Sequence, residues 1–440
     1  MRFLASAVAR AVGGGLSGPD VAVDGATVDS RAVRRGDLFV PVVARRDGHE
    51  FISAALDAGA AAYLTTHPPA GATAITVDDT ASALLTLGAH ARDRLPARVV
   101  GVTGSVGKTT VKDLLAAAMA TRFRTAASER SFNNELGVPL TLLRAADDTE
   151  AAVVEMGARG TGHIALLCRV ARPTVGVVTA VTLAHTELFG SVDAVAAAKG
   201  ELVEALPADG TAVLNADQPL VAAMAGRSAA PVLSFGESEG AEVTAANVSL
   251  DDDLRPVFEL WSPWGVVEVR LAVSGRHQVA NALAAAAAAL ACGVPLDAVA
   301  SGLVVARASP WRMALVRTAS GAVVLNDSYN ANPASMEAAL RALAALPARR
   351  RRVAVLGVMA ELGVAGAAEH RRIARLARDL GIEVIPFATS AYGAEPVHDV
   401  AAAAAAVGEL GDGDAVLVKA SRAVGLERVA AALVGEPAAS

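Results

Sequence analysis

The chain has 440 residues, of which 53% are hydrophobic and 19% are charged, and its formal net charge at pH 7 is −6. A single hydrophobic core seldom serves so long a chain, so we expect about three domains at roughly 150 residues each. The net negative charge argues against a nucleic-acid partner. The basic run Arg349-Arg350-Arg351-Arg352 directly precedes an apolar strand and is interpreted as the solvated entry to that strand.

Residues 1–96 predict a small N-terminal α/β domain. In the opening stretch Arg10 interrupts the apolar run, which favours an amphipathic helix over a signal peptide. Pro96 marks a break in the pattern. The other predicted elements are strands at Leu38 to Val42 and Ala74 to Val77 and a helix at Ile52 to Ala58.

Residues 97–309 predict a central domain on a mostly parallel sheet, because strands and helices alternate from Arg98 onward. The pattern then changes, and two alternating stretches around Ser262-Pro263-Trp264-Gly265 predict an added antiparallel hairpin. A helix from His277 to Ala291 follows, and its Ala-rich part is too short to span a bilayer, so no membrane partner is expected. The predicted parallel strands are Arg98 to Thr103, Ala151 to Met156, Val175 to Thr179 and Ala212 to Asn215.

Residues 310–440 predict a C-terminal Rossmann-like α/β domain, so the fold class is α/β in three domains. The chain contains no G-x-G-x-x-G motif, and dinucleotide binding therefore has no support. The predicted strands are Ala322 to Leu325, Arg352 to Leu356, Glu383 to Ile385 and Ala415 to Val418.

A phosphate-binding loop is predicted between the first strand of the central domain and a helix that begins near Val111. Glycines allow several backbone N–H groups to point at one anion, and the helix start adds its positive dipole end. Lys108 would reach the terminal phosphates and Thr109 would hold Mg²⁺. The loop is a shortened form, Gly-x-x-Gly-Lys-Thr, and a purely structural turn would need its glycines but not a Lys followed by two Thr. Its residues are Gly104, Ser105, Val106, Gly107, Lys108, Thr109 and Thr110.

Lysine and cysteine are both scarce. Of the 39 basic residues only four are lysine, namely Lys108, Lys112, Lys199 and Lys419. An amine can lose its proton or be covalently modified, which a guanidinium does not do readily, so each lysine is a candidate for special chemistry, with chance as the alternative. Cys168 and Cys292 lack metal-type or redox-type spacing, which indicates neither a zinc site nor a disulfide framework and fits a reducing cytoplasm.

Polar side chains follow two predicted strands of the central sheet. Glu155 ends one strand and His185 follows the next, so both would face the rim where α/β sheets bind ligands, and there they could hold Mg²⁺. Lys199 lies on a nearby Ala-rich helix; a solvated lysine is the ordinary alternative. The segments 276–281 and 326–333 are dense in hydrogen-bonding side chains, which also suit helix caps and turns.

With these motifs the chain resembles the Mur ligases, the ATP-dependent amide-forming enzymes of cytoplasmic peptidoglycan precursor synthesis, and most closely the MurF type. The resemblance covers all three predicted domains. Besides the phosphate loop it rests on Asp29-Ser30-Arg31, Gly36-Asp37-Leu38-Phe39-Val40, Asn133-Asn134-Glu135-Leu136-Gly137-Val138-Pro139, Glu155-Met156-Gly157, Ala198-Lys199-Gly200-Glu201, Asp327-Ser328-Tyr329-Asn330-Ala331-Asn332-Pro333, Met359-Ala360-Glu361-Leu362-Gly363 and Lys419-Ala420-Ser421-Arg422.

The resemblance implies a UDP-substrate-binding domain at 1–96, an ATP-binding domain at 97–309 and a ligase domain for the incoming dipeptide at 310–440. The implied reaction joins D-alanyl-D-alanine to UDP-N-acetylmuramoyl-tripeptide through an acyl phosphate. The resemblance implies that Lys108 and Thr109 serve ATP and Mg²⁺, that Glu155 and His185 hold metal, and that Lys199 is carbamylated. It implies that Asn281 contacts adenine, Arg312 the phosphates and Asp327 the ribose. Asn134 is implied to lie near the metal and the incoming substrate, Tyr329 and Asn330 near substrate, and Ser30 and Arg31 near the UDP end.

Two other functions are weighed. A MurE-type ligase, which adds the third amino acid of the peptide, would carry an Asp-Asn-Pro-Arg signature that this chain does not contain. A regulatory P-loop ATPase would need neither the first-domain Asp29-Ser30-Arg31 stretch nor Lys199. The chain departs from the common MurF pattern in the third domain, at Val358, at Trp311 before Arg312, and at Ala420. The third residue of the substrate peptide stays open between lysine and diaminopimelate, and a monomer is expected.

Overall fold

The computed structural model describes residues 1–69, 71–96, 98–129, 132–182 and 186–435. Its first part carries a five-stranded sheet of order β2-β7-β6-β5-β4, in which only β2 runs antiparallel, and a separate antiparallel pair of β1 and β3. The elements are β1 Arg2–Leu4, α1 Ala5–Val12, β2 Gly15–Ser17, β3 Ala22–Asp24, β4 Ala26–Thr27, β5 Leu38–Phe39, α2 Ile52–Asp57, β6 Ala62–Thr65, β7 Thr73–Thr76 and α3 Thr80–Arg92.

The central part is built on a six-stranded parallel sheet of order β13-β12-β11-β8-β10-β9, which confirms the predicted parallel sheet. Its elements are β8 Val99–Thr103, α4 Lys108–Ala120, β9 Thr125–Ala127, α5 Gly137–Arg144, β10 Ala151–Glu155, α6 His163–Ala171, β11 Val175–Val178, α7 Thr186–Phe189, α8 Val192–Glu204, β12 Thr211–Asn215, α9 Pro219–Ala222 and β13 Val232–Phe235. Because β8 lies between β10 and β11, the loop after β8 adjoins the ends of both neighbours.

The predicted antiparallel hairpin is present, and a third strand joins it. The three-stranded sheet has the order β14-β15-β16, with Ser262 paired with Gly265 at the turn. Its strands are β14 Thr244–Leu250, β15 Pro256–Ser262 and β16 Gly265–Arg270, and the helices that follow are α10 Gln278–Ala291 and α11 Leu296–Val305. The alanines from Ala284 to Ala289 are fully buried, since their small side chains let α10 pack closely in the core with α4 and α11.

The last part carries a five-stranded sheet of order β17-β18-β21-β19-β20, in which only β17 is antiparallel. Its elements are β17 Ala314–Arg317, β18 Val323–Asn326, α12 Pro333–Ala345, β19 Arg352–Leu356, α13 Gly366–Asp379, β20 Glu383–Pro386, α14 Val400–Val407, β21 Ala415–Lys419 and α15 Glu427–Val434. The predicted three-domain α/β fold is confirmed.

Two element predictions were wrong in extent. The predicted strand from Leu38 to Val42 ends at Phe39, since Pro41 has no N–H to donate to a sheet ladder. The helix predicted to begin near Val111 begins at Lys108, because Gly107 adopts φ 85° as its N-cap and the three residues before Val111 already form the first helical turn.

Candidate active site

A cavity of about 1050 Å³ lies at the carboxyl end of the central sheet and is closed on one side by residues of the last part of the chain. Fourteen of the residues predicted to act in the site line it. From the first part of the chain, Val28 reaches it. The predicted residues on its wall are Ser105, Val106, Gly107, Lys108, Thr109, Thr110, Asn134, Glu155, Lys199, Asn281, Arg312, Asp327, Tyr329 and Asn330.

The loop before α4 leaves no room for side chains at Gly104 and Gly107, and both residues have the positive φ that favours glycine. A Cβ on Gly104 would lie 1.9 Å from Thr179 Oγ1, and one on Gly107 would lie 2.4 Å from Asn281 Oδ1. Lys108 Nζ donates to the Gly104 carbonyl at 2.6 Å and so folds back over the loop. Burial lowers the pKa of Lys108, while the Glu155 carboxylate raises it in part. Anionic phosphates at this loop would favour the charged amine.

Glu155 presents a buried carboxylate oxygen to the cavity. The side chain is 1% exposed, and Oε1 accepts a hydrogen bond from Asn133 Nδ2 at 2.8 Å. Oε2 is buried and has no hydrogen-bond partner among the residues that the structure describes. An ionised oxygen in that situation is unfavourable unless a cation completes its environment, so Glu155 and Thr109, which line the same cavity, fit a Mg²⁺ ion.

Lys199 is 2% exposed, and within the described parts of the chain no hydrogen bond to its amine is found. Burial lowers its pKa well below the usual value, and the positive charge of Lys108 adds to the shift. Both effects increase the share of the neutral amine. A neutral amine is the form that reacts with carbon dioxide, so the environment suits the carbamylation implied by the resemblance.

Arg312 extends from the last part of the chain to the phosphate loop. Its Nη2 donates to Thr109 Oγ1 at 2.7 Å, and its guanidinium lies 4.1 Å from the centre of the Tyr329 ring. Trp311 and Met313 on either side have φ 62° and 51°, a left-handed conformation that favours glycine. Tryptophan is therefore an unusual residue at position 311. The Arg422 guanidinium stacks on its ring at 4.6 Å, which helps to stabilise the strained turn.

Lys419 holds Asp327 and was not predicted as a site residue. Its Nζ donates to Asp327 Oδ2 at 2.5 Å and to the Asn330 carbonyl at 2.9 Å, and the side chain is 1% exposed. Asp327 Oδ1 also accepts from the Met313 N–H at 3.1 Å. The scarcity of lysine was the available signal, because Lys419 lines the cavity together with Lys108 and Lys199.

The fourth lysine, Lys112, is a structural residue. It is 4% exposed, donates to the Ser128 carbonyl at 3.0 Å and pairs with Asp113 at 2.5 Å. The hydroxyl of Ser128 in turn accepts from the Glu155 N–H at 3.1 Å. Lys112 therefore braces the backbone that carries Glu155.

Several predicted residues lie elsewhere. Arg31 is a surface side chain, 88% exposed and paired with Asp29 at 2.8 Å, and neither it nor Ser30 lines the cavity. Gly104 shapes the loop but does not line the cavity. His185 lies outside the described residues. Cavity residues to which the sequence assigned no role include Asn133, His163, His277, Gln278, Ser421 and Arg422.

The two cysteines of the chain, Cys168 and Cys292, are both free, and burial raises the pKa of each thiol to about 12.

Of the helices in the described ranges, none combines the length and the apolar composition needed to cross a membrane.

Comparison with known proteins finds two family matches and close full-length relatives. Residues 102–289 match the Mur ligase middle domain, and residues 311–422 match the Mur ligase, glutamate ligase domain. A UDP-N-acetylmuramoyl-tripeptide--D-alanyl-D-alanine ligase from Mycobacterium tuberculosis is 42% identical, with 93% of this chain and 91% of that protein covered. A crystal structure of MurF from Acinetobacter baumannii superposes with a TM-score of 0.87 at 29% identity and covers 99% of both chains. MurF from Thermotoga maritima in complex with ADP superposes with a TM-score of 0.82 at 28% identity, covering 94% of this chain and 98% of that one.

Proposed function

The chain belongs to the Mur ligase family, and we propose that it joins D-alanyl-D-alanine to UDP-N-acetylmuramoyl-tripeptide with ATP, in the synthesis of peptidoglycan precursors. One observation carries the proposal: a single cavity brings together the phosphate loop, the buried Glu155 and Lys199, and Arg312 from the last part of the chain. The full-length similarity to ligases named for this reaction supports the choice of substrates.

ATP would bind with its phosphates on the loop at Lys108, and Mg²⁺ would be held by Thr109, Glu155 and carbamylated Lys199, with His185 completing the predicted set. When bound, the metal supplies positive charge to the phosphates. The ADP in the Thermotoga maritima structure supports nucleotide binding. Asn281 is proposed to contact the adenine and Asp327 the ribose.

The first step transfers the γ-phosphoryl group to the terminal carboxylate of the tripeptide. A new O–P bond forms, the bond to ADP breaks, and an acyl phosphate results. The approaching carboxylate and the phosphate repel each other by about 4 kcal/mol per unit charge pair at 4 Å and an effective dielectric near 20. Lys108 and Arg312 offset this repulsion, and positioning and electrostatics carry most of such a step.

In the second step the amine of D-alanyl-D-alanine attacks the acyl carbon. The C–N bond forms, the C–O bond to phosphate breaks, and inorganic phosphate leaves with the electron pair while the amine loses a proton. Asn134, Tyr329 and Asn330 lie on the cavity wall and are proposed to contact substrate there. The UDP end is assigned to the first domain near Ser30 and Arg31, from which Val28 reaches the cavity.

Carbamylation adds carbon dioxide to the neutral Lys199 amine, forming an N–C bond and releasing one proton. The product is an anion. As a cation Lys199 would repel Lys108, whereas as a carbamate it attracts both Lys108 and a metal ion. The lowered pKa of Lys199 supports this assignment.

The domains are proposed to act as a UDP-substrate domain at 1–96, an ATP domain at 97–309 and a dipeptide domain at 310–440. We propose a monomer that acts in the cytoplasm, where ATP and UDP-linked intermediates are available. The MurE-type alternative is not favoured, because the Mycobacterium tuberculosis relative is named as a D-alanyl-D-alanine ligase and the superposed Acinetobacter baumannii structure is a MurF.

Phosphate release tests the function. We expect release only when a UDP-muramoyl tripeptide and D-alanyl-D-alanine are both present, with lysine-containing and diaminopimelate-containing tripeptides compared in parallel. Release without either substrate would instead indicate a regulatory ATPase. Release with a dipeptide precursor and a free diamino acid would indicate the MurE-type reaction.

A further inference from the structure

We propose that Asn133 is a positioning residue that orients the Glu155 carboxylate toward the metal. The inference rests on the proposed function, since it takes Glu155 to be a metal ligand. Asn133 Nδ2 donates to Glu155 Oε1 at 2.8 Å, and Oε2 is left buried without a hydrogen-bond partner among the described residues. A carboxylate can only accept, so the amide must present its nitrogen to it. One oxygen is thus held by the protein and the other is free for a cation.

Gly157 holds the backbone of Asn133 and leaves space for its side-chain amide. The Gly157 N–H donates to the backbone carbonyl of Asn133 at 2.7 Å. A Cβ on Gly157 would lie 2.8 Å from Asn133 Oδ1, 2.9 Å from its Cγ and 3.3 Å from its Nδ2, so the absence of a side chain there leaves room for the amide. Gly157 does not adopt a left-handed φ, and alanine is therefore compatible with its backbone.

The backbone of Glu155 does not depend on Asn133. Its N–H donates to Ser128 Oγ at 3.1 Å, and the residue is paired with Val102 in the central sheet. Removing the Asn133 amide should therefore release only the carboxylate, which could then rotate away from the cavity or bind Lys108. Groups that orient a metal ligand typically change metal affinity about 10- to 100-fold.

Metal binding rather than turnover gives the decisive measurement. The apparent Kd for Mn²⁺ is measured by electron paramagnetic resonance on the full-length protein with saturating ADP, and the Kd of ADP is measured without metal. For Asn133→Ala we expect Mn²⁺ to bind about 10- to 100-fold more weakly. ADP without metal should bind about as in wild type, because Asn133 donates to Glu155 and, among the described residues, no hydrogen bond joins its side chain to the phosphate loop.

Two further variants separate positioning from a general structural effect. In a Glu155→Gln background, Asn133→Ala should cause no additional loss of Mn²⁺ affinity, since the carboxylate that it orients is gone. Gly157→Ala should weaken Mn²⁺ binding by pushing the Asn133 amide aside, and should have no further effect once Asn133 is alanine. Gly157→Ala also carries the test if Asn133→Ala proves poorly folded by thermal melting.

Wild-type Mn²⁺ affinity in a folded Asn133→Ala would overturn the inference, as would an equal loss of affinity when Asn133→Ala is made in the Glu155→Gln background. Ligation by the wild-type protein is measured alongside. If ligation requires both substrates while Asn133→Ala binds Mn²⁺ normally, the positioning role is wrong and the proposed function stands. If the wild-type protein does not ligate, the proposed function is wrong, and the Mn²⁺ titrations still decide the role of Asn133.

Discussion

Replacing Lys199 with alanine is expected to remove nearly all ligation while leaving the fold intact. Lys199 is 2% exposed, and burial and the positive charge of Lys108 lower the pKa of its amine. Alanine can neither form a carbamate nor supply negative charge to a metal ion. The small side chain is compatible with the Ala-rich helix α8, so the loss should be chemical rather than structural.

The size of the loss follows from the charge that is removed. One pair of opposite unit charges 4 to 6 Å apart contributes about 3 to 4 kcal/mol at an effective dielectric near 20. At roughly 1.4 kcal/mol for each factor of ten, this corresponds to about a 10²- to 10³-fold fall in kcat. Lys199→Arg should lose as much, because a guanidinium keeps the positive charge and is not readily carbamylated.

The assay is phosphate release with both substrates, in carbon-dioxide-free buffer and after addition of bicarbonate. Wild-type activity should fall in the depleted buffer and recover with bicarbonate, whereas Lys199→Ala should respond to neither. Thermal melting checks that the variant is folded. Wild-type turnover by Lys199→Ala in the depleted buffer would refute the carbamate hypothesis.

Four further outcomes are expected. In carbon-dioxide-free buffer, the free energy of unfolding of the wild type should rise relative to that of Lys199→Met as pH increases from the lowered folded-state pKa of Lys199 toward 10.5. In this pH range the unfolded chain holds a proton that the folded chain has released. A difference in unfolding free energy that does not change with pH would contradict this. Lys108→Ala should lose at least about 10²-fold in kcat, and a smaller loss would contradict its phosphate role. Lys419→Met should lower the free energy of unfolding by about 3 to 5 kcal/mol, because Asp327 loses its buried partner, and denaturant unfolding measures this. Both thiols should resist alkylation at pH 8 until the chain is unfolded, since burial raises the pKa of each to about 12. Rapid labelling of both thiols in the native protein would contradict these raised pKa values.

Much of the fold could be predicted because its signals are local. The alternation of apolar strands with Ala-rich helices predicted the parallel central sheet, and the change to period-two alternation around Ser262 predicted the hairpin. Errors concern ends of elements, where single residues decide. Pro41 cannot donate to the ladder beyond Phe39, and Gly107 lets the helix start directly at Lys108.

The site was predicted only in part. A phosphate loop is recognisable from adjacent residues, and the scarcity of lysine marked Lys199 before any contact was known. Asn133 and Lys419 could not be assigned roles from the sequence, because their partners are distant along the chain and become neighbours only in the fold. Asn133 binds Glu155, and Lys419 binds Asp327.

The sequence by itself determined that this chain folds as alternating strands and helices, carries a phosphate loop at Lys108 and uses lysine at only four positions. Only the tertiary structure decided what surrounds that loop. The strand order sets β8 between β10 and β11, which brings Glu155 to the loop, and packing of the last part of the chain brings Arg312 to Thr109 across 203 residues. Periodicity and turn chemistry act over a few residues, whereas strand order and domain packing depend on contacts summed over the whole chain.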